Sequence, residues 1–155
     1  MSKSLKRVRA ALEAAGTAHE IREVGEARTA ALAAQSAGCA LDQIAKSIIF
    51  RGEETGHIVL FITAGGNRVS ASKASVVAGQ PLGKADAALI RAETGFAIGG
   101  VAPLGHLHPV RAFLDPKLME FDVIWAAAGT PRHVFSIAPQ ELERISGADQ
   151  ANFTE

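Results

Sequence analysis

Leu5, Val8, Leu12 and Ala15 fall on one face of a 3.6-residue period, Ser2 or Ser4 stands where a helix cap belongs, and Gly16 stands where a helix stops. The spacing predicts a first helix whose outer face carries Lys3, Lys6, Arg7 and Arg9. His19 to Val24 reads as a short strand, and an alanine-rich helix capped by Thr29 ends near Gly38. The clearest β pattern follows. Ile44 to Arg51 and His57 to Thr63 are β-rich runs parted by Gly52-Glu-Glu-Thr-Gly56, the signature of a hairpin, and Gly65-Gly66 ends the second run. Further helices are predicted from Ser70 or Ser72 through Val77, closed by Gly79, and from Asp86 through Glu93, closed by Gly95. Phe96 to Ile98 reads as a short apolar strand running into Gly99 and Gly100. Val110 to Leu114, Val123 to Ala127 and His133 to Ile137 are predicted strands, the last two joined by the turn Ala128-Gly-Thr-Pro-Arg132. Pro139 suits the first turn of a final helix, Gln140 to Ile145.

Strands outnumber helices, several are joined by hairpin-length links, and strict βαβ alternation is absent. The pattern points to the α/β class with an α+β-like mixed sheet and helices packed around it. One domain over residues 1–147 is expected, with the polar segment 148–155 frayed.

The chain has 155 residues, of which 48% are hydrophobic, yet no apolar run approaches the roughly 18 needed to span a bilayer. Met-Ser-Lys-Ser-Leu-Lys-Arg leads into an amphipathic pattern and not into a secretory core, so a soluble, cytoplasmic protein without membrane contact is expected. Sixteen acidic residues balance sixteen basic ones, which argues against coating of long nucleic acid and permits contact with one nucleic-acid end. Cys39 is the only cysteine, so no intrachain disulfide or thiolate cluster can form; a small core residue is the plainer reading beside a catalytic thiol.

A period of two puts Lys46 on the same strand face as Ile44, Ile48 and Phe50. An ammonium there must be paired, reach water, or face a pocket that receives anions. Ser70-Ala71-Ser72-Lys73 has the Ser-x-x-Lys spacing of penicillin-recognising enzymes but lacks their companion motifs, and reads better as a helix cap with a surface lysine. His106, His108 and His133 offer three imidazoles, with no acidic ligand signposted nearby; no metal and no cofactor are expected. Gly99 and Gly100 permit backbone conformations or close approaches denied to other residues, so the segment is either a tight turn or the wall of a backbone-lined site.

Taken together, Ala45-Lys46-Ser47-Ile48-Ile49, the Ser72-Lys73 helix with Gly79, Ile98-Gly-Gly-Val-Ala-Pro-Leu-Gly105 and Ala128-Gly-Thr-Pro-Arg132 resemble the YbaK/ProX family of aminoacyl-tRNA deacylases, in order and spacing, over roughly residues 20–145. These are relatives of the editing domain of prolyl-tRNA synthetases. The resemblance implies a barrel-like mixed sheet surrounded by helices, with a pocket between the lysine strand and the loop Gly99-Gly-Val-Ala-Pro103. It implies hydrolysis of the ester of a mischarged tRNA, tRNA(Pro) above all, with a non-catalytic tRNA-end or nucleotide-binding module as the alternative. Lys46, Gly99, Gly100, Val101 and Ala102 are the implied catalytic positions, and Pro103, Ile48, Gly129, Thr130 and His133 the implied substrate-binding ones. The acceptor end of mischarged tRNA is the implied partner, a prolyl-tRNA synthetase a further one; monomer and homodimer both stay open. Ala102 stands where family members often carry serine, and His106-Leu107 where they carry a basic pair, which bears on substrate choice.

An aminoacyl ester is already activated, so positioning and electrostatic stabilisation suffice without a protein nucleophile. On the family pattern, the N–H groups around Gly100, Val101 and Ala102 would stabilise the oxyanion, Lys46 would hold the terminal nucleotide through phosphate, and the neighbouring ribose hydroxyl would assist the attacking water.

Overall fold

Four of the five helices start on a side chain that captures a free N–H. In the computed structural model, which describes residues 2–155, α1 (Lys3–Ala15) is capped by Ser2, α2 (Ala30–Ala37) by Thr29, α3 (Ala71–Ala78) by Ser70 and α4 (Ala87–Thr94) by Asp86. The fifth, α5 (Pro139–Ser146), starts on its proline. Ser70 is thus a cap accepting from the Lys73 N–H, while Lys73 Nζ donates to the Thr154 carbonyl at 2.8 Å.

The strands are β1 (Glu20–Glu23), β2 (Ile44–Gly52), β3 (Ile58–Ala64), β4 (Leu82–Lys84), β5 (Arg111–Leu114), β6 (Ile124–Ala127), β7 (His133–Ile137) and β8 (Asp149–Gln150). They form one mixed sheet in the order β1-β7-β6-β2-β3-β5-β8, with β4 on β2. Pairing is parallel for β2–β6, β3–β5 and β5–β8 and antiparallel elsewhere.

β3 sits centrally, and every one of its residues is buried. Its alternation explains the unbroken apolar run. Ile58, Leu60, Ile62 and Ala64 face one core with Leu5, Val8 and Leu12 of α1, Ile90 of α4 and Leu142 of α5. Val59 and Phe61 face the opposite core with Ala74 of α3, Phe113 and Phe153. On that second side α2 covers Ile44, Trp125 and Val134. Helices therefore pack on both faces of the sheet.

Two sequence expectations change, and one element is added. Phe96–Ile98 is not a strand: Phe96 is held in the core beneath Arg7, whose guanidinium lies 4.4 Å from the ring centre, and the chain turns at Ile98–Gly99. Segment 148–155 is not frayed, because β8 pairs with β5, Thr154 bridges to Val69, and Phe153 is fully buried against Phe61. The short strand β4, with no pattern of its own in Leu82-Gly-Lys84, extends the edge of β2. Among the described residues no helix is long and apolar enough to cross a membrane.

Candidate active site

A strand has two edges, and β3 takes one edge of β2 from Ala45 to Arg51. The other is shared. β6 takes it at Ile44 and Ala45, β4 takes it from Phe50 to Gly52, and Lys46–Ile49 are left between them. A cleft of about 400 Å³ opens at this gap, lined by Lys46, Ser47, Ile48 and Ile49. Its walls include Trp125 and Val134 from one core cluster and Ile90 and Val101 from the other, as expected of a cleft at a break in the sheet. Two connections close it: the loop at Ile98, Gly99 and Val101, and the β6–β7 turn at Thr130 and Pro131.

Lys46 projects from β2 opposite Thr63 and is half-buried. Its Nζ donates to the Asn67 carbonyl at 2.7 Å. Burial holds its pKa below the ordinary lysine value, Arg68 pushes the same way, and the carboxylates of Asp115 and Asp42 oppose them. The lysine thus lines the cleft while its ammonium is paired with a backbone carbonyl outside the lining. Across the cleft Thr130 Oγ1 and His133 Nδ1 are 2.7 Å apart, and the Arg132 N–H donates to the same hydroxyl at 3.2 Å. The hydroxyl orients the imidazole.

The glycine-proline loop does not offer its backbone uniformly. Gly99 takes φ +94°, closing the turn in which the Gly100 N–H donates to the Ala97 carbonyl at 3.1 Å. Gly100 is buried outside the cleft lining, and a Cβ there would lie 2.8 Å from the Thr130 backbone. Its missing side chain lets the β6–β7 turn approach, not a ligand. Ala102 and Pro103 are likewise buried outside the lining, Ala102 with its carbonyl 2.7 Å from His106 Nε2. Gly129 is buried below the turn, where a Cβ would meet the Ser4 carbonyl at 2.7 Å. Of the implied site residues, Lys46, Ile48, Gly99, Val101, Thr130 and His133 line the cleft, while Gly100, Ala102, Pro103 and Gly129 support its walls.

Two features carried no sequence signal of their role. Arg7, on the basic face of α1, donates to the carbonyls of Gly105 and Thr94 and clamps both ends of the loop. His106 bonds to a carbonyl, which can only accept, so its Nε2 carries the proton. Burial keeps its pKa low, aided by Arg7 and opposed by that hydrogen bond, so the ring is neutral. Cys39 packs beside α2, and burial raises its pKa, the reverse of an activated thiol. Among the described residues no three His, Cys, Asp or Glu side chains converge as metal ligands.

Residues 24–145 match the model of the aminoacyl-tRNA editing domain. The chain belongs to that family. It is 32% identical over 114 residues to the uncharacterised protein YwhH of Bacillus subtilis (strain 168), a match covering 74% of this chain and 72% of the relative. Among solved structures it resembles one described as a candidate trans-editing enzyme for prolyl tRNA synthetase, with TM-score 0.92, 43% identity, and coverage of 100% of this chain and 99% of the other. The hypothetical protein APE2540 shares the fold at TM-score 0.86 and 24% identity, over 96% of this chain and 99% of that one. The editing-domain match spans β2, the glycine-proline loop, the β6–β7 turn and segment 27–33, all of which line the cleft.

Proposed function

We propose that this editing domain is a trans-editing deacylase that hydrolyses the ester of mischarged tRNA, tRNA(Pro) first. One observation carries the reading: a cationic Lys46 at the rim of an apolar cleft whose opposite wall is a glycine loop and a hydroxyl-oriented histidine. The resemblance to a structure described as acting for prolyl tRNA synthetase supports the choice of tRNA.

In this mechanism Lys46 holds the terminal nucleotide through a phosphate, as a point charge that no rigid fork constrains. The aminoacyl group enters beside Ile48, Ile49 and Val101. Water adds to the ester carbonyl, the tetrahedral intermediate collapses, and the ribose oxygen leaves with a proton as the free amino acid departs. The Gly100 N–H is already spent on Ala97, so the Val101 N–H, on a cleft-lining residue and with no acceptor among the described residues, serves as a loop donor for the oxyanion. His133 and the neighbouring ribose hydroxyl orient the water. The lining holds no Asp or Glu, so a small uncharged aminoacyl group fits and a cationic side chain is left without a partner.

The test is deacylation of a panel of mischarged tRNAs by the wild type and Lys46→Ala. Turnover of alanyl-, cysteinyl- or seryl-tRNA(Pro), with a loss on the order of a hundredfold in the variant, is expected. Binding of the tRNA end without ester loss would instead mark a non-catalytic module. Full activity of Lys46→Ala would remove the lysine from the mechanism.

A further inference from the structure

We propose that Asp115 is a positioning residue for Lys46, acting through the Gly65–Asn67 turn that receives the lysine. The inference rests on the reading of Lys46 as the group that meets the substrate.

Asp115 follows β5 and is 3% exposed, an unusual place for a carboxylate unless both oxygens are engaged. Oδ1 accepts the Lys117 N–H at 3.0 Å and caps the short 3-10 helix Pro116–Glu120. A cap needs no more than that. Oδ2 is turned the other way and accepts from the Ala64 N–H at 3.1 Å and from Asn67 Nδ2 at 2.9 Å. The second oxygen therefore ties the end of β3 and the following turn to the end of β5.

The same turn is pinned from its other sides. The Gly66 N–H donates to Asp42 Oδ1 at 2.7 Å, the Asn67 N–H donates to the Ala64 carbonyl at 2.9 Å, and Gly65 lies so close to the Leu41 carbonyl that a Cβ would collide with it. The held group is the Asn67 carbonyl, and the ammonium of Lys46 sits on it at 2.7 Å. A lysine side chain loses rotamer freedom when fixed, so a dock that fixes it beforehand lowers the cost at the moment of binding. Asp115 and Asp42 also set charge beside the ammonium, against burial and Arg68. A structural cap would need neither the Asn67 contact nor the alignment with Lys46.

Asn67→Ala removes the tie while leaving Asp115 its two backbone donors and its capping role, so the fold is preserved. Deacylation of mischarged tRNA by this variant is expected to lose about tenfold in kcat/KM, the scale of a misplaced positioning group. In a Lys46→Ala background the same change is expected to do nothing further, because Asn67 acts through the lysine. Equal losses in both backgrounds would reduce the contact to general structural support, and no loss in the first would overturn the proposal. A pH titration of the Lys46 ¹³Cε signal, identified by its absence in Lys46→Ala, decides the dock without reference to catalysis. The Lys46 midpoint is expected to move in Asn67→Ala with the other lysines unmoved, and an unchanged midpoint overturns the dock. Wild-type protein with no deacylase activity would instead overturn the reading of the site while leaving this titration to decide the dock.

Discussion

Gly100 and Thr130 are packed backbone to backbone: a Cβ built on Gly100 would stand 2.8 Å from both Cα and C of Thr130 and 3.0 Å from its nitrogen. No flexible side chain can yield there, so Gly100→Ala must push the β6–β7 turn away and carry His133 with it. The expected result is a fall of ten- to a hundredfold, on the order of a lost positioning contact, in kcat/KM for deacylation, with a stability cost of about 1–3 kcal/mol by urea unfolding. Gly99→Ala is the contrasting variant. Its Cβ would meet only Pro131 Cβ at 3.9 Å, so its cost is the left-handed φ of +94°, about 1–3 kcal/mol, without displacement of Thr130.

That pair also shows where sequence reading reaches its limit. The helix caps and the β2–β3 hairpin are local signals, and the structure reproduces them within a residue or two of their expected ends. Lys46 stood out for a local reason too, an ammonium on an apolar strand face. The purpose of Gly100 is non-local, because the backbone it admits lies thirty positions away, and a loop glycine looks the same whether a ligand or a neighbouring turn fills its space. Asp115 and Asn67 are separated by 48 positions and belong to no motif. Phe96 looked like the start of a strand because apolarity alone does not separate a strand from a single core anchor.

Phe153 is the residue that turns the C-terminal segment from a tail into part of the fold. Its ring is fully buried, 4.9 Å from Phe61 in an edge-on contact, and the Phe153 carbonyl accepts the Ser70 N–H at the start of α3. Phe153→Ala is expected to cost about 3–5 kcal/mol, the range for emptying a phenylalanine site. Truncation after Gly147 should cost at least as much, since it also removes β8. Urea midpoints matching the wild type in both variants would restore the frayed tail.

His106 makes stability depend on mildly acidic pH. Its ring is held neutral by burial in the native state, whereas the unfolded chain titrates near the ordinary histidine value of about 6.5. Below that value the unfolded state binds the extra proton and the native state resists it, so stability is full above the unfolded value and declines as pH falls toward the depressed native one. Urea midpoints measured between about pH 7 and pH 5 should fall in the wild type, and fall less in His106→Gln, which keeps a donor for the Ala102 carbonyl but does not titrate. An equal decline in both would place the acid sensitivity elsewhere.

Lys46 predicts the opposite limb of the pH profile. Burial, with Arg68, lowers its pKa from the usual lysine value, and the charged form is the one that can hold a phosphate. Deacylation should be retained while the ammonium persists and be lost as pH rises through the depressed value, which lies below about 10.5. Spontaneous hydrolysis of the ester also quickens with alkali and has to be subtracted at each pH. Lys46→Arg is the informative variant. Its guanidinium stays charged across the range, so the alkaline limb should vanish even where the longer, forked side chain lowers the rate at neutral pH. An alkaline limb that persists unchanged in Lys46→Arg would assign the titration to another group and leave Lys46 a role that does not depend on its proton.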